Sequence, residues 1–90
     1  MFLLRRVNGD SMLPGLKHGQ IVIAIKTRRS SVGDTVIIHH DGLEKVKRVA
    51  KISGGEIYVL GDNSSHSTDS RTLGWLPRSA LTAKVIWPRR

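Results

Sequence analysis

The feature that most constrains this chain is a series of short, β-branched apolar runs, none of them longer than a strand. Residues 20–26 read Gln-Ile-Val-Ile-Ala-Ile-Lys and residues 34–40 read Asp-Thr-Val-Ile-Ile-His-His; shorter runs fall within residues 43–52, 56–60 and 84–87. Side chains branched at Cβ lose rotamer freedom in a helix and pack well on a pleated surface, so each run favours a strand. Polar punctuation separates them: the basic, serine-containing segment 27–33, the pair Asp41-Gly42 and the turn Ser53-Gly54-Gly55. Asp-Gly suits a two-residue hairpin because both positions tolerate positive φ. One helical turn is expected at 78–81, and no stretch of helical length carries a 3.6-residue period. The reading is a small, mostly β single domain, residues 1–90.

Composition bounds what such a domain can do. At 90 residues the chain is long enough for one core, and its lack of cysteine excludes a disulfide scaffold, a thiol nucleophile and cysteine-ligated zinc. Its longest unbroken apolar stretch, Ile21 to Ile25, falls far short of the about 20 residues that span a bilayer. Fifteen Lys and Arg against seven Asp and Glu give a net charge of +8. The positive residues are spread along the chain, aromatic platforms are few and no helix-turn-helix or zinc spacing occurs, so nucleic acid is not the expected partner. The basic surface suits an acidic partner or an anionic lipid headgroup. Of the histidines, the adjacent pair His39 and His40 would point to opposite faces of a strand, and no metal is assigned.

Three segments hold the groups that could do chemistry. Gly9-Asp10-Ser11-Met12-Leu13-Pro14 holds a hydroxyl on a constrained loop, a common presentation for a nucleophilic serine. No histidine context suggests a triad, and lysine is the alternative base once burial lowers its pKa. Lys47 lies mid-run, on the face shared with Leu43, Lys45 and Val49. The segment 61–74 packs Asp62, Asp69, Arg71 and several hydroxyls into one glycine-bounded loop. A loop this polar needs internal hydrogen bonds and charge pairs, and an Asp–Arg brace accounts for its composition.

Together these segments resemble the signal peptidase I family of serine–lysine endopeptidases. The resemblance lies in Ser11-Met12-Leu13-Pro14-Gly15-Leu16, Gly33-Asp34, Lys47-Arg48-Val49, Gly61-Asp62-Asn63 and Ser67-Thr68-Asp69-Ser70-Arg71 with Gly74, in that order. Within the family the chain is similar to the short, soluble branch of nickel-type superoxide dismutase maturation proteases, through its Arg-Arg-Val lead-in and the run Gly74-Trp75-Leu76-Pro77-Arg78. The resemblance implies the coiled antiparallel sheet shared by signal peptidases and self-cleaving SOS repressors, without a large inserted second domain. It implies Ser11 as nucleophile, Lys47 as general base and Ser67 as the hydroxyl that orients the lysine. Asp62, Asp69 and Arg71 would form the structural brace. The Ser11 N–H would be one oxyanion donor, with Gly9 a candidate for a second. No cofactor is implied, and the substrate would be a precursor with small residues before the cleaved bond, losing an N-terminal propeptide or leader.

Several positions depart from the family pattern. Gly9 stands where many relatives carry a serine, Gly15 where threonine usually follows the proline, and Gly19-Gln20 where Gly-Asp is common. The absence of an anchor points to a cytoplasmic enzyme; the alternative is a signal peptidase core at a membrane, through an anchor removed from the chain or peripheral contact. The non-enzyme rival is an inactive relative that binds peptide or nucleic acid. Intact Ser11, Lys47 and Ser67 argue against it.

Overall fold

The alternating runs become seven strands in a computed structural model that describes residues 1–89. They are β1 (Phe2–Arg6), β2 (Ile21–Lys26), β3 (Thr35–His40), β4 (Leu43–Ser53), β5 (Glu56–Leu60), β6 (Leu76–Pro77) and β7 (Leu81–Trp87). One curled antiparallel sheet contains them in the order β1-β2-β7-β3-β4-β5-β6. The fold expectation therefore holds: this is a small, mostly β domain.

β3 explains why its sequence reads as a continuous apolar run. Ile37 belongs to one core, with Val7, Met12, Leu16, Val22, Ala24, Ala83 and Val85. Its neighbours Val36 and Ile38 belong to a second core on the opposite face, with Val49, Ile57, Val59, Leu76 and Leu81. A strand buried on both sides cannot alternate apolar with polar. β7 crosses between the same two cores. Its pairing with β3 slips between Ile37 and Ile38, so Leu81 faces one core and Ala83 the other, as a bulge permits.

The β3–β4 connection is the expected two-residue hairpin, with Asp41 at φ 51° and Gly42 at φ 75°. Several regions differ from the sequence reading. The first residues, given no strand by that reading, form β1: Phe2 and Leu4 face outward at 69% and 64% exposure, so the apolar side chains do not mark an inner face. The polar segment 61–74 contains two helical turns, Ser64–His66 (3-10) and α1 (Ser70–Leu73), too short to print a period in sequence. The turn expected at 78–81 is the 3-10 turn Arg78–Ala80, and the final strand begins three residues earlier than expected, at Leu81.

Candidate active site

Ser11 sits on the excursion between β1 and β2. Its neck is closed by Val7 N–H to the Gln20 carbonyl and Gly19 N–H to the Val7 carbonyl, both 2.8 Å. Met12 and Leu16, each 1% exposed, peg the loop into the first core, leaving Ser11 half-buried between anchor points. Gly9 takes φ +84°, a conformation that disfavours a side chain. Its N–H is committed, donating to His18 Nδ1 at 2.8 Å. That bond makes His18 an acceptor at Nδ1 and leaves Gly9 no free donor, contrary to the expectation that it might serve an oxyanion. Among the described residues the Ser11 N–H has no acceptor.

Lys47 projects from β4 and is 3% exposed, whereas Lys45 on the same face is half-buried. It pairs in register with Val36 and alternates with Val49, so its stem starts on the face of the second core. Burial pushes its pKa down; the Asp69 carboxylate pulls against this, and the charges of Lys45 and Arg71 add to it. The ammonium donates to Ser67 Oγ at 2.9 Å. Ser67 in turn donates to Asp69 Oδ2 at 2.8 Å. Among the described residues no hydrogen bond joins Lys47 directly to Ser11; the two line one cleft of about 550 Å³.

Asp69 is fully buried and collects donors on both oxygens. Oδ2 accepts from Gly61 N–H at 2.8 Å and Arg71 Nη2 at 2.7 Å besides Ser67, and Oδ1 accepts from Arg71 N–H at 3.1 Å and Nε at 3.0 Å. Burial alone would raise this carboxyl; the bonds from Arg71, Gly61 and Ser67 overcome it and hold the group well below the usual carboxylate range. The same carboxylate caps α1, so the brace and the helix start are one structure.

The expected three-membered brace is two separate pairs. Asp69 binds Arg71, but Asp62 takes a bidentate fork from Arg48, with Nε and Nη2 at 2.8 and 2.7 Å. Arg48 Nη1 also reaches the Gly33 carbonyl at 2.9 Å. As the neighbour of Lys47, Arg48 starts from the opposite face, and its partner lies beyond the end of β5. Sequence reasoning missed it; the signal available was a basic residue next to the lysine and an aspartate in excess of one arginine.

Gly61 is where the serine-bearing segments meet. A Cβ built there would stand 2.6 Å from Ser67 Cβ and 2.8 Å from the Ser11 carbonyl oxygen, and would overlap Ser67 Oγ. Asn63 fastens the same junction, its N–H donating to the Ser11 carbonyl at 2.7 Å and its side chain to the Asp10 carbonyl at 3.0 Å. His66 lines the cleft and bonds to Ser65, not to Lys47 or Ser11. No group of three metal-ligating side chains occurs among the described residues. No helix among them is long and apolar enough to cross a membrane.

Comparison with known proteins adds an independent line. A family model described as Peptidase S24-like matches residues 1–73, a stretch that contains Ser11, Lys47, Ser67, Asp69 and Arg71. The chain is 31% identical over 72 residues to mitochondrial inner membrane protease subunit 1 of Saccharomyces cerevisiae, covering 80% of this chain and 36% of that protein. It is 39% identical over 59 residues to the protein of the same name from Schizosaccharomyces pombe, covering 62% of this chain and 36% of that one. The chain thus spans about a third of the length of these relatives.

Proposed function

This chain belongs to the Peptidase S24-like family of signal-peptidase-type serine proteases, and from that premise we propose that it is an endopeptidase working through Ser11 and Lys47. The observation that carries the reading is the buried Lys47 amine, held by Ser67 in a cleft that Ser11 also lines. Ser67 spends its only hydrogen on Asp69, so it offers Lys47 a lone pair and the lysine must donate to it. A neutral amine with one N–H so engaged keeps its lone pair for another proton. Ser11 Oγ–H gives up that proton as the oxygen attacks the peptide carbonyl; the Ser11 N–H receives the developing oxyanion. Lys47 then passes the proton to the leaving amine, and water releases the acyl group by the same route. For this step Ser11 Oγ and Lys47 Nζ must come within hydrogen-bond reach when substrate fills the cleft they share.

The open edge of β4 supports an extended substrate. Its residues 43–47 pair with β3 alone, because pairing with β5 begins at Arg48. A peptide strand can add there through backbone hydrogen bonds. The family resemblance further supports small residues before the cleaved bond, and removal of an N-terminal extension from a precursor such as that of a nickel superoxide dismutase. The test is to incubate the protein with the precursor and map the new N-terminus by mass spectrometry. Cleavage is expected with the parent and none with Ser11→Ala; an intact precursor in both would reject this substrate.

One observation favours a second placement, at a membrane instead of in the cytoplasm. Phe2, Leu4 and Trp87 are exposed by 69%, 64% and 57%, and Ile23 pairs with both Leu4 and Trp87, which flank it on one face of the sheet. Anionic vesicles co-sedimenting with the parent but not with a Phe2→Ser, Leu4→Ser, Trp87→Ser variant would support that placement.

A further inference from the structure

The cleft around Ser11 and Lys47 is lined by more cations than the proposed chemistry uses. Arg5 is paired, its Nε at 2.8 Å from Glu44 Oε1. Arg6 and Lys45 are not: among the described residues the Arg6 side chain donates only to the Gly19 carbonyl, at 3.0 Å, and Lys45 Nζ has no hydrogen-bond or ion-pair partner. The carboxylates in the same wall are Glu44, already engaged with Arg5, and Asp10. Even with Lys47 deprotonated for catalysis, Arg5, Arg6 and Lys45 outnumber the carboxylates Glu44 and Asp10 in the lining. Concave walls exclude part of the water that would screen these charges, so an opposite charge entering the cleft gains more than on an open surface.

The position of the excess is informative. A peptide extended along the open edge of β4 advances about 3.3 Å per residue, matching the strand beside it. The peptide side chains that pass Lys45 and then Leu43 are therefore about two and about four residues removed from the position at Lys47. We propose that Arg6 and Lys45 make this cleft selective for an acidic side chain lying two to four residues from the cleaved bond. The proposal rests on the protease reading above and names the substrate class of that site.

The test uses a degenerate decapeptide library, read by mass spectrometry, to find a cleaved core sequence. Matched peptides then carry Asp, Asn or Lys at each position two to four residues from the cleaved bond. At one such position Asp should exceed Asn in kcat/KM by about five- to twentyfold, with Lys the poorest. Lys45→Glu should invert that order, Arg6→Gln should weaken it, and Lys26→Glu, an equal charge change outside the cleft, should leave it intact. Asp and Asn within twofold of each other at all these positions would overturn the proposal. So would Lys26→Glu shifting the preference as far as Lys45→Glu, since the net charge of the whole molecule would then be the cause. Anisotropy of labelled decapeptides binding to Ser11→Ala protein separates the two readings. If the parent cleaves no peptide, the protease reading fails; a retained binding preference for Asp that Lys45→Glu reverses still supports the acidic selectivity, and equal binding rejects it.

Discussion

In the proposed mechanism, Lys47 is the residue whose protonation decides what the site can do. Its burial lowers the pKa below the 10.5 of a free lysine, so the neutral amine gains population as pH rises through that lowered value. For a precursor peptide, kcat/KM should therefore climb with pH and level off earlier than an exposed lysine would allow. Lys47→Arg should abolish cleavage across the whole range, because a guanidinium does not deprotonate there. The same shift has a stability sign: the unfolded chain holds this proton more tightly than the folded one, so folding gains as pH rises from the folded to the unfolded pKa. Lys47→Met should accordingly raise the melting temperature at neutral pH while removing activity. Asp69→Asn makes a different prediction. Arg71, Gly61 N–H and Ser67 all donate to the carboxylate, and an amide nitrogen on either side would face donors. The substitution should cost about 1–3 kcal/mol in denaturant titration. It should also lower kcat, because Ser67 becomes free to turn its hydrogen toward Lys47 and occupy the base's lone pair. At this scale the sequence made the side-chain types legible: a loop serine, a mid-strand lysine, an acid- and hydroxyl-rich turn. Pairing was less legible. Arg48 and Asp62 meet only because β5 ends beside the start of the polar loop, and His18 reaches Gly9 only because the loop folds back on its neck.

At the level of elements, the loop carrying Ser11 behaves as a small unit hung on two buried pegs. Met12→Ala should cost about 2–5 kcal/mol, read from chemical denaturation, since the surrounding core closes only part of the space left. Activity in the still-folded fraction should fall as well, because Ser11 is the next residue. Strands β2 to β5 and β7 were legible because β-branched residues cluster where two cores need them. β1 was not, because its exposed side chains are as apolar as its partly buried ones, and β6 is only two residues long. The helical turns of the polar segment escaped for another reason. α1 stands on a cap from Asp69 and on Gly74, whose N–H closes onto the Ser70 carbonyl, so its start and stop are side-chain and glycine effects that periodicity does not register.

Across the whole molecule, sequence spacing says little about strand order. Hairpins β3–β4 and β4–β5 follow from short turns, but β2 and β3, consecutive in the chain, do not pair with each other. The strand between them is β7, and its small residue Ala83 is fully buried in the first core. A chain ending at Ala80 should therefore give the far-ultraviolet circular dichroism of an unfolded protein, with no cooperative thermal transition. On the ribosome, the same topology imposes an order of events. The β1–β2 arm bearing Ser11 and the β3–β5 portion bearing Lys47 emerge early, yet they lack their common central strand until residues 81–87 have left the exit tunnel. Whatever chemistry the cleft performs is thus withheld until β7 slides into the middle of the sheet.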